Sequence, residues 1–404
     1  MRKKFIIILG DGMSDHPIER LGRRTPLMVA ETPYMDMICA QGRCGLFQTV
    51  PLDMPPGSEV ANLAVLGYDV KKVYQGRGVL EGASMGVNIA PGDLAMRCNL
   101  LCIENSRIKN HSAGHISSTE SHILINFLNS ELADERLRFY PGVSFRHLLV
   151  LKGGSNDLIF TPPHDVPGTP YREVLIKPAS NKGEESARIL NDLILKSQEL
   201  LADHPVNKSR IAAGKDPANS VWFWSAGFRP TMATLTERFG IKGAVISAVD
   251  IIKGLGIYAG MDVIEVPGVT GLTDTNYEGK AEATIRALQD HDLVYLHVEA
   301  TDEAGHAGDV DLKIKALEYL DNRVVKYIWE KSASWGDDIS IAILPDHATP
   351  CDVRTHTHDP VPFAIYNAAC SPDLVKRYDE ESVQKGSFGL IRNDDFIRKL
   401  LGID

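Results

Sequence analysis

The chain has 404 residues, 44% of them hydrophobic and 24% charged, with a formal net charge of −10. That length allows two or three domains, or one large domain carrying an insertion, with a core that needs no staples. No long basic block accompanies the acidic balance, which excludes nucleic acid as an expected partner. No apolar stretch approaches the ~18 residues of a spanning helix, so no membrane is expected either.

In chain order, FIIIL (Phe5–Leu9) reads as a fully buried strand of a parallel sheet. It is too short for a secretory apolar segment and meets Gly-Asp-Gly at once. TPYMDMICAQG reads as a helix ending at Gly42. CGLFQTV reads as a second strand, followed by the turn-rich PLDMPPGSE and the helical EVANLAVLG. Residues 111–178 change character, with short strands (RFYP, HLLVLKGG, LIFTPP) around one helix, SHILINFLNSELA. They are expected to form an inserted α+β domain, with 1–110 and 179–404 as the main domain. GEESARILNDLILKSQELLADHP reads as a long return helix. Thereafter strands (VWFWSA, GAVISA, DVIEV, DLVYLHV, ISIAILPDH) alternate with helices, which implies a parallel α/β sheet. The cysteines (Cys39, Cys44, Cys98, Cys102, Cys351, Cys370) form no CxxC pair and are expected as free thiols in a reducing cytoplasm.

Four loops at expected strand ends carry acids and histidines. Asp11 lies between glycines in ILGDGMS. Asp302 and His306 follow DLVYLHV in TDEAGH, with Asp309 just beyond. Asp346 and His347 follow ISIAI in LPDHATP. His356 and His358 stand in RTHTHDPVPF, where Pro360 and Pro362 stiffen the chain. Any one of these stretches alone is an ordinary turn. Strand ends of one parallel sheet converge on one crevice, however. Mixed carboxylate and imidazole donors suit Mn, Zn or a similar divalent ion, and there are enough for two. Two such ions are a common arrangement for phosphoryl transfer. Ser58, after Gly57 at the start of an expected helix, is the candidate nucleophile; the plainer reading of such a serine is a helix N-cap.

These residues sit in a set of stretches that resembles one family. GDGMSD, PPGSEVANLAVLGYD, GRGVLEGASMGV, PGDLAMRCN, VPGVTGLTDTNYEGKA, HVEATDEAGHAGD, LPDHATP and HTHDPVP run through nearly the whole chain in order. Together they resemble the archaeal-type cofactor-independent phosphoglycerate mutases of the alkaline phosphatase superfamily. The resemblance implies an alkaline phosphatase-like α/β fold, a mostly parallel sheet flanked by helices, with a smaller inserted α+β domain. It implies two divalent metal ions (Mn, Zn, Co or Mg) and no bisphosphoglycerate. One ion would take Asp302, His306 and His356; the other would take Asp11, Ser58, Asp346 and His347. His356 rather than His358 matches the pattern His-Thr-x-Asp-Pro-Val-Pro. The reaction implied interconverts 3-phosphoglycerate and 2-phosphoglycerate through a phosphoserine, with the insertion covering the small phosphorylated substrate.

Arg77 and Arg97 are expected to bind the substrate's carboxylate and phosphate, since guanidinium forks suit both. Asn99, His164 and Asp165 are further expected substrate contacts. Two stretches depart from the family: NHSAGHI, with His111 and His115, replaces an arginine-rich DRRAGRI-like pattern, and WSAG (Trp224–Gly227) replaces RGAG. These departures keep a homoserine kinase-like phosphotransferase open as the alternative. A phosphatase and a non-catalytic binding protein rank behind it.

Overall fold

The computed structural model describes residues 3–403. It contains two compact units: one runs to Tyr74 and resumes at Thr231, the other is Gln75–Pro230. The first unit opens with β1 (Lys4–Gly10) and β2 (Arg43–Phe47). The second supplies β3 (Asp93–Glu104), β4 (Arg107–Asn110), β5 (Leu137–Val143), β6 (Arg146–Lys152), β7 (Leu158–Ile159), β8 (Lys177–Pro178) and β9 (Ser220–Phe228). The chain then returns to the first unit for β10 (Gly243–Ile246), β11 (Asp262–Val263), β12 (Leu293–Val298), β13 (Ile339–Leu344), β14 (Val361–Asn367) and β15 (Gly389–Ile391). The helices used below are α1 (Ser58–Val65), α2 (Arg77–Ser84), α3 (Ser118–Leu132), α4 (Glu184–Ala202), α5 (Tyr277–Ala287), α6 (Ala300–Ala307) and α7 (Val310–Leu320). No helix among the described residues is long and apolar enough to cross a membrane.

The first unit is an eight-stranded sheet in the order β11-β10-β12-β1-β13-β14-β2-β15. It is mostly parallel, as the alternation of strands and helices implies. β14 alone runs against its neighbours, β13 and β2. The sequence reading places a proline-stiffened loop here, and the structure makes Val361–Asn367 a strand. Strands β12 and β13 are buried at every residue, and β1 is buried from Phe5 onward. Continuous apolar, β-branched runs suit such a position, because helices cover both faces of the sheet. The registers Gly10↔Val298 and Leu9↔Leu344 bring the carboxyl ends of the three central strands level. Whatever follows each strand therefore emerges along one edge of the sheet.

Behind that edge lies a fully buried ion pair. Lys313, on α7, donates from Nζ to Asp15 Oδ2 (2.8 Å), Ser14 O (3.0 Å) and Thr349 O (2.8 Å). Neither side chain of the pair is exposed. One ammonium thus ties the loop after β1 to the loop after β13.

The second unit has its own core. Its sheet runs β4-β3-β6-β5, with β9 on the free edge of β3. Helix α3 packs on β5 and α4 on β9. VWFWSA, expected in the main sheet, is the body of β9 and pairs antiparallel with β3. Strand β3 is twelve residues long and pairs with β6 along one side and β9 along the other. That double pairing is why the unit takes in 75–230, a wider span than the expected 111–178. An apolar run alone does not say which sheet a strand joins.

Gly227, in the WSAG stretch, pairs with Ala95, and a Cβ there would stand 1.8 Å from Gln75 O. Backbone cannot yield as a flexible side chain can. Gly227→Ala is expected to destabilise the protein by about 1–3 kcal/mol through overpacking. A denaturation midpoint equal to the parent's would refute that close approach.

Candidate active site

The site is built on the level edge of the first unit's sheet. Asp11 follows β1, Asp346 and His347 follow β13, and His356 lies on the loop leading into β14. Gly12 permits the close approach of these segments. Its φ is +61°, and a Cβ there would lie 2.8 Å from Asp302 Cα. Asp302 and His306, expected on a loop, lie on α6. ATDEAGHA is rich in residues that tolerate a helix, and a spacing of four sets Asp302 and His306 on one face. Asp309, just beyond, accepts from Leu312 N (3.0 Å) as the N-cap of α7.

Two sets of donors form. His306 Nε2 is 3.2 Å from Asp302 Oδ2 and 3.0 Å from His356 Nε2, and His356 Nε2 is 3.4 Å from Asp302 Oδ1. The second set surrounds His347 Nε2, with Ser58 Oγ at 3.1 Å, Asp346 Oδ2 at 3.4 Å and Asp11 Oδ1 at 3.5 Å. The rings of His347 and His356 stack with centroids 3.7 Å apart, so the two sets adjoin. His358 stands apart and is hydrogen-bonded to Met54 O (2.8 Å).

Ser58 is the first residue of α1, and the cap position belongs to Gly57. Its hydroxyl therefore faces His347 and does not cap the helix. One turn on, Asn62 Nδ2 donates to Ser58 O (2.7 Å) and to Asp346 Oδ2 (2.8 Å), and its Oδ1 accepts from Tyr295.

The electrostatics of the cluster suits a cation. Burial, then the charges of Asp346, Asp302 and Glu299, push the Asp11 carboxyl well above its ordinary range. Burial, then Asp302 and Asp346, push Glu299 up to about 8. Burial works the same way on Asp302, but hydrogen bonds from His306 and His356 win and take it well below its ordinary value. His306 is raised to about 9, chiefly by its bond to Asp302. Burial lowers His347, and takes His297 to about 3.

Asp11 Oδ1 and Glu299 Oε2 are buried without a hydrogen-bond partner among the described residues. Crowded carboxylates with unpaired oxygens are what a divalent cation relieves. Three side-chain groups each hold three donor atoms within 4.8 Å of one another: Asp302–His347–His356, Asp11–His297–Asp346 and Asp11–Glu299–Asp302. Metal-binding clusters are thus present.

Several participants escape a reading of strand ends. His297 Nε2 lies 3.0 Å from Asp11 Oδ2 from inside β12, and its carbonyl accepts from the buried Lys280 on α5 (2.9 Å). Thr349 Oγ1 donates to Asp302 Oδ1 (2.5 Å). The signal for His297 was a lone histidine in an otherwise apolar strand. Glu299 and Thr349 carried none beyond their proximity to the donor loops.

The expected substrate contacts all fall in the second unit. The Arg77 backbone N–H, at the start of α2, donates to Ser225 Oγ (3.1 Å). Arg97, on β3, grips both oxygens of Glu81 and lies 4.5 Å over the Trp224 ring. Asn99 is buried, accepting from Trp224 Nε1 (3.1 Å) and donating to His111 O (3.4 Å). The His164 ring stands 5.1 Å from Trp224 and 6.2 Å from His111, and its Nε2 is 3.5 Å from Asp165 Oδ1. Arg97, Asn99 and His164 therefore share one cluster with Trp224 and His111, from the two departing stretches.

A mostly parallel α/β sheet with carboxylates, imidazoles and a helix-borne serine along one edge is the architecture of the alkaline phosphatase superfamily. A family model described as "2,3-bisphosphoglycerate-independent phosphoglycerate mutase" matches residues 39–207. A Methanosarcina acetivorans protein of that name is 52% identical, covering 99% of this chain and 100% of its own. Among solved structures, a Pyrococcus horikoshii protein matches with a TM-score of 0.85 at 30% identity, covering 100% of this chain and 98% of that one. A cofactor-independent phosphoglycerate mutase from Thermoplasma acidophilum matches at 0.71 and 29%, covering 100% and 99%. The chain belongs to the archaeal-type cofactor-independent phosphoglycerate mutases, and it is an enzyme of that activity.

Proposed function

We propose that the enzyme interconverts 3-phosphoglycerate and 2-phosphoglycerate through a phosphorylated Ser58, with two divalent ions at the sheet edge. The observation that carries this is the placement of Ser58 Oγ beside His347, with Asp11 and Asp346 around the same imidazole. Asp302, His306 and His356 would hold one ion. Asp11, Ser58, Asp346 and His347 would hold the other, both of Mn, Zn, Co or Mg type. Bound ions would offset phosphate charge and clamp the oxygens of an in-line displacement.

The chain's own residues do the rest. Asn62 fixes the backbone of the first turn of α1 against Asp346, which keeps Ser58 beside His347. The Ser58 hydroxyl gives up its proton and its oxygen forms a bond to phosphorus as the bond from phosphorus to the 3-oxygen of the substrate breaks, and that oxygen takes up a proton to give glycerate. Glycerate then presents its 2-hydroxyl, which gives up its proton and takes the phosphoryl group back as the serine–phosphorus bond breaks and Ser58 regains a proton. Water must be kept from the phosphoserine meanwhile, and the second unit is suited to cover the substrate. Arg77, Arg97, Asn99, His164 and Asp165 are the residues proposed to contact it. Arg97 must exchange or share Glu81 to do so. A relative 52% identical along the whole chain bears the mutase name, which supports this reading over the kinase-like alternative.

The test is an assay from 3-phosphoglycerate with no bisphosphoglycerate added, following 2-phosphoglycerate through enolase. Turnover should need a divalent ion and vanish with chelator; a metal-loaded preparation with no turnover would overturn the assignment. Asp302→Asn should cost about one equivalent of bound metal after dialysis at limiting metal, because a charged ligand is lost. Unchanged metal content would contradict its role as a ligand.

A further inference from the structure

A second place in the first unit is shaped to hold a ligand. A cavity of about 980 Å³ lies at the far end of α1 from Ser58, roughly 12 Å along the helix by its rise per residue. None of the donor residues of the candidate active site is in its wall. Such a volume is at the top of the range for small-molecule sites. The apolar part of the wall includes Leu52, Tyr68, Val70 and Val73. Leu52 is 78% exposed, a large apolar side chain left in water at the lining. Thr49, also in the wall, is buried, and its hydroxyl has no hydrogen-bond partner among the described residues.

The charges in the wall are unbalanced. Lys72 is paired with Asp69 (2.8 Å), and Lys71 with Asp53. Asp394 lies 4.0 Å from Arg398. Two guanidinium groups of the wall form no ion pair with a carboxylate among the described residues. Arg238 donates to the carbonyls of Leu66 (3.2 Å) and Gly67 (2.6 Å) and lies 4.5 Å over the Tyr68 ring. Those acceptors are neutral, and no carboxylate among the described residues forms an ion pair with it, though Asp394 of the wall lies nearby. The Arg392 side chain has no partner among the described residues. Apolar walls beside two guanidinium groups outside any ion pair recognise an anionic group on an apolar body.

We propose that this cavity binds a small organic anion with an apolar body, separately from the catalytic substrate. The wall includes Val73 and Thr231, close to where the chain leaves the first unit after Tyr74 and where it re-enters it. An occupant would therefore touch both segments by which the chain passes between its units.

The test uses the full-length protein, without substrate, and the fluorescent probe 8-anilinonaphthalene-1-sulfonate. One probe should bind per chain, saturably. Arg392→Glu should weaken it on the order of tenfold, the scale of one charge-assisted contact. Arg392→Lys, which keeps the charge, should largely retain it. The neutral N-phenyl-1-naphthylamine should bind parent and Arg392→Glu equally. Excess 3-phosphoglycerate should not displace the sulfonate. Arg392 is exposed, so both variants are expected to fold and to keep the parent's mutase rate. Absence of saturable binding, indifference to Arg392→Glu, an equal loss of the neutral probe, or displacement by 3-phosphoglycerate would each overturn the proposal. Because the readout is binding, it stands or fails independently of the mutase assay.

Discussion

Ser58→Ala is expected to reduce mutase turnover on the order of 10⁴-fold or more, since removing a nucleophile removes the covalent route altogether. The fold should not suffer. Gly57 holds the cap of α1, and Ser58 makes its side-chain contact to His347 rather than to the helix. The melting midpoint should match the parent's. Metal content should largely persist, because Asp11, Asp346 and His347 remain around the same position. Parent protein incubated with 3-phosphoglycerate should show a phosphoryl mass increment that the variant lacks. A variant that turns over at the parental rate would remove Ser58 from the mechanism while leaving the family assignment untouched.

Lys313→Met is expected to cost about 3–5 kcal/mol of stability, the scale for leaving one partner of a buried ion pair uncompensated. Methionine approximates the length of the lysine stem but donates nothing. Asp15 would keep only backbone donors, from His16 and Cys351, the Ser14 carbonyl would keep only the Thr349 N–H, and the Thr349 carbonyl would lose the ammonium. The double variant Lys313→Met with Asp15→Asn should recover a large part of the loss, since the Asp15 charge is then not left buried and unpaired. Equilibrium unfolding of the two variants decides the matter. If both lose the same amount, the cost lies in the carbonyl contacts and not in the charge.

The parts of the site legible in the sequence share one property. Asp11, Asp346 and His347 each follow an apolar run that could only be a buried strand, so their place on the sheet edge followed from strand polarity. Asp302 and His306 were legible as donors but not as a helix, because a spacing of four residues is available to a tight loop as well. His297 and Tyr295 were hidden for the opposite reason. They alternate along β12 on one face, inside a run whose apolar neighbours made it read as plain core. The second unit was legible in kind but not in extent. Strand pairing over more than a hundred residues, as between β3 and β9, leaves no local mark in either strand.

The order of the chain has a consequence for how the enzyme comes into being. Asp11 and Ser58 precede the second unit, while Asp302, His306, Asp346, His347 and His356 follow it. During synthesis the intervening Gln75–Pro230 unit, with a core of its own, can fold as soon as it emerges from the ribosome. β1 must meanwhile wait unpaired, because both of its neighbours in the sheet, β12 and β13, are translated only after the second unit. A nascent chain interrupted before Asp302 lacks five of the seven residues just named. The donor cluster at the sheet edge is therefore completed only late in synthesis, and FIIIL waits for both of its partners while the whole second unit is made.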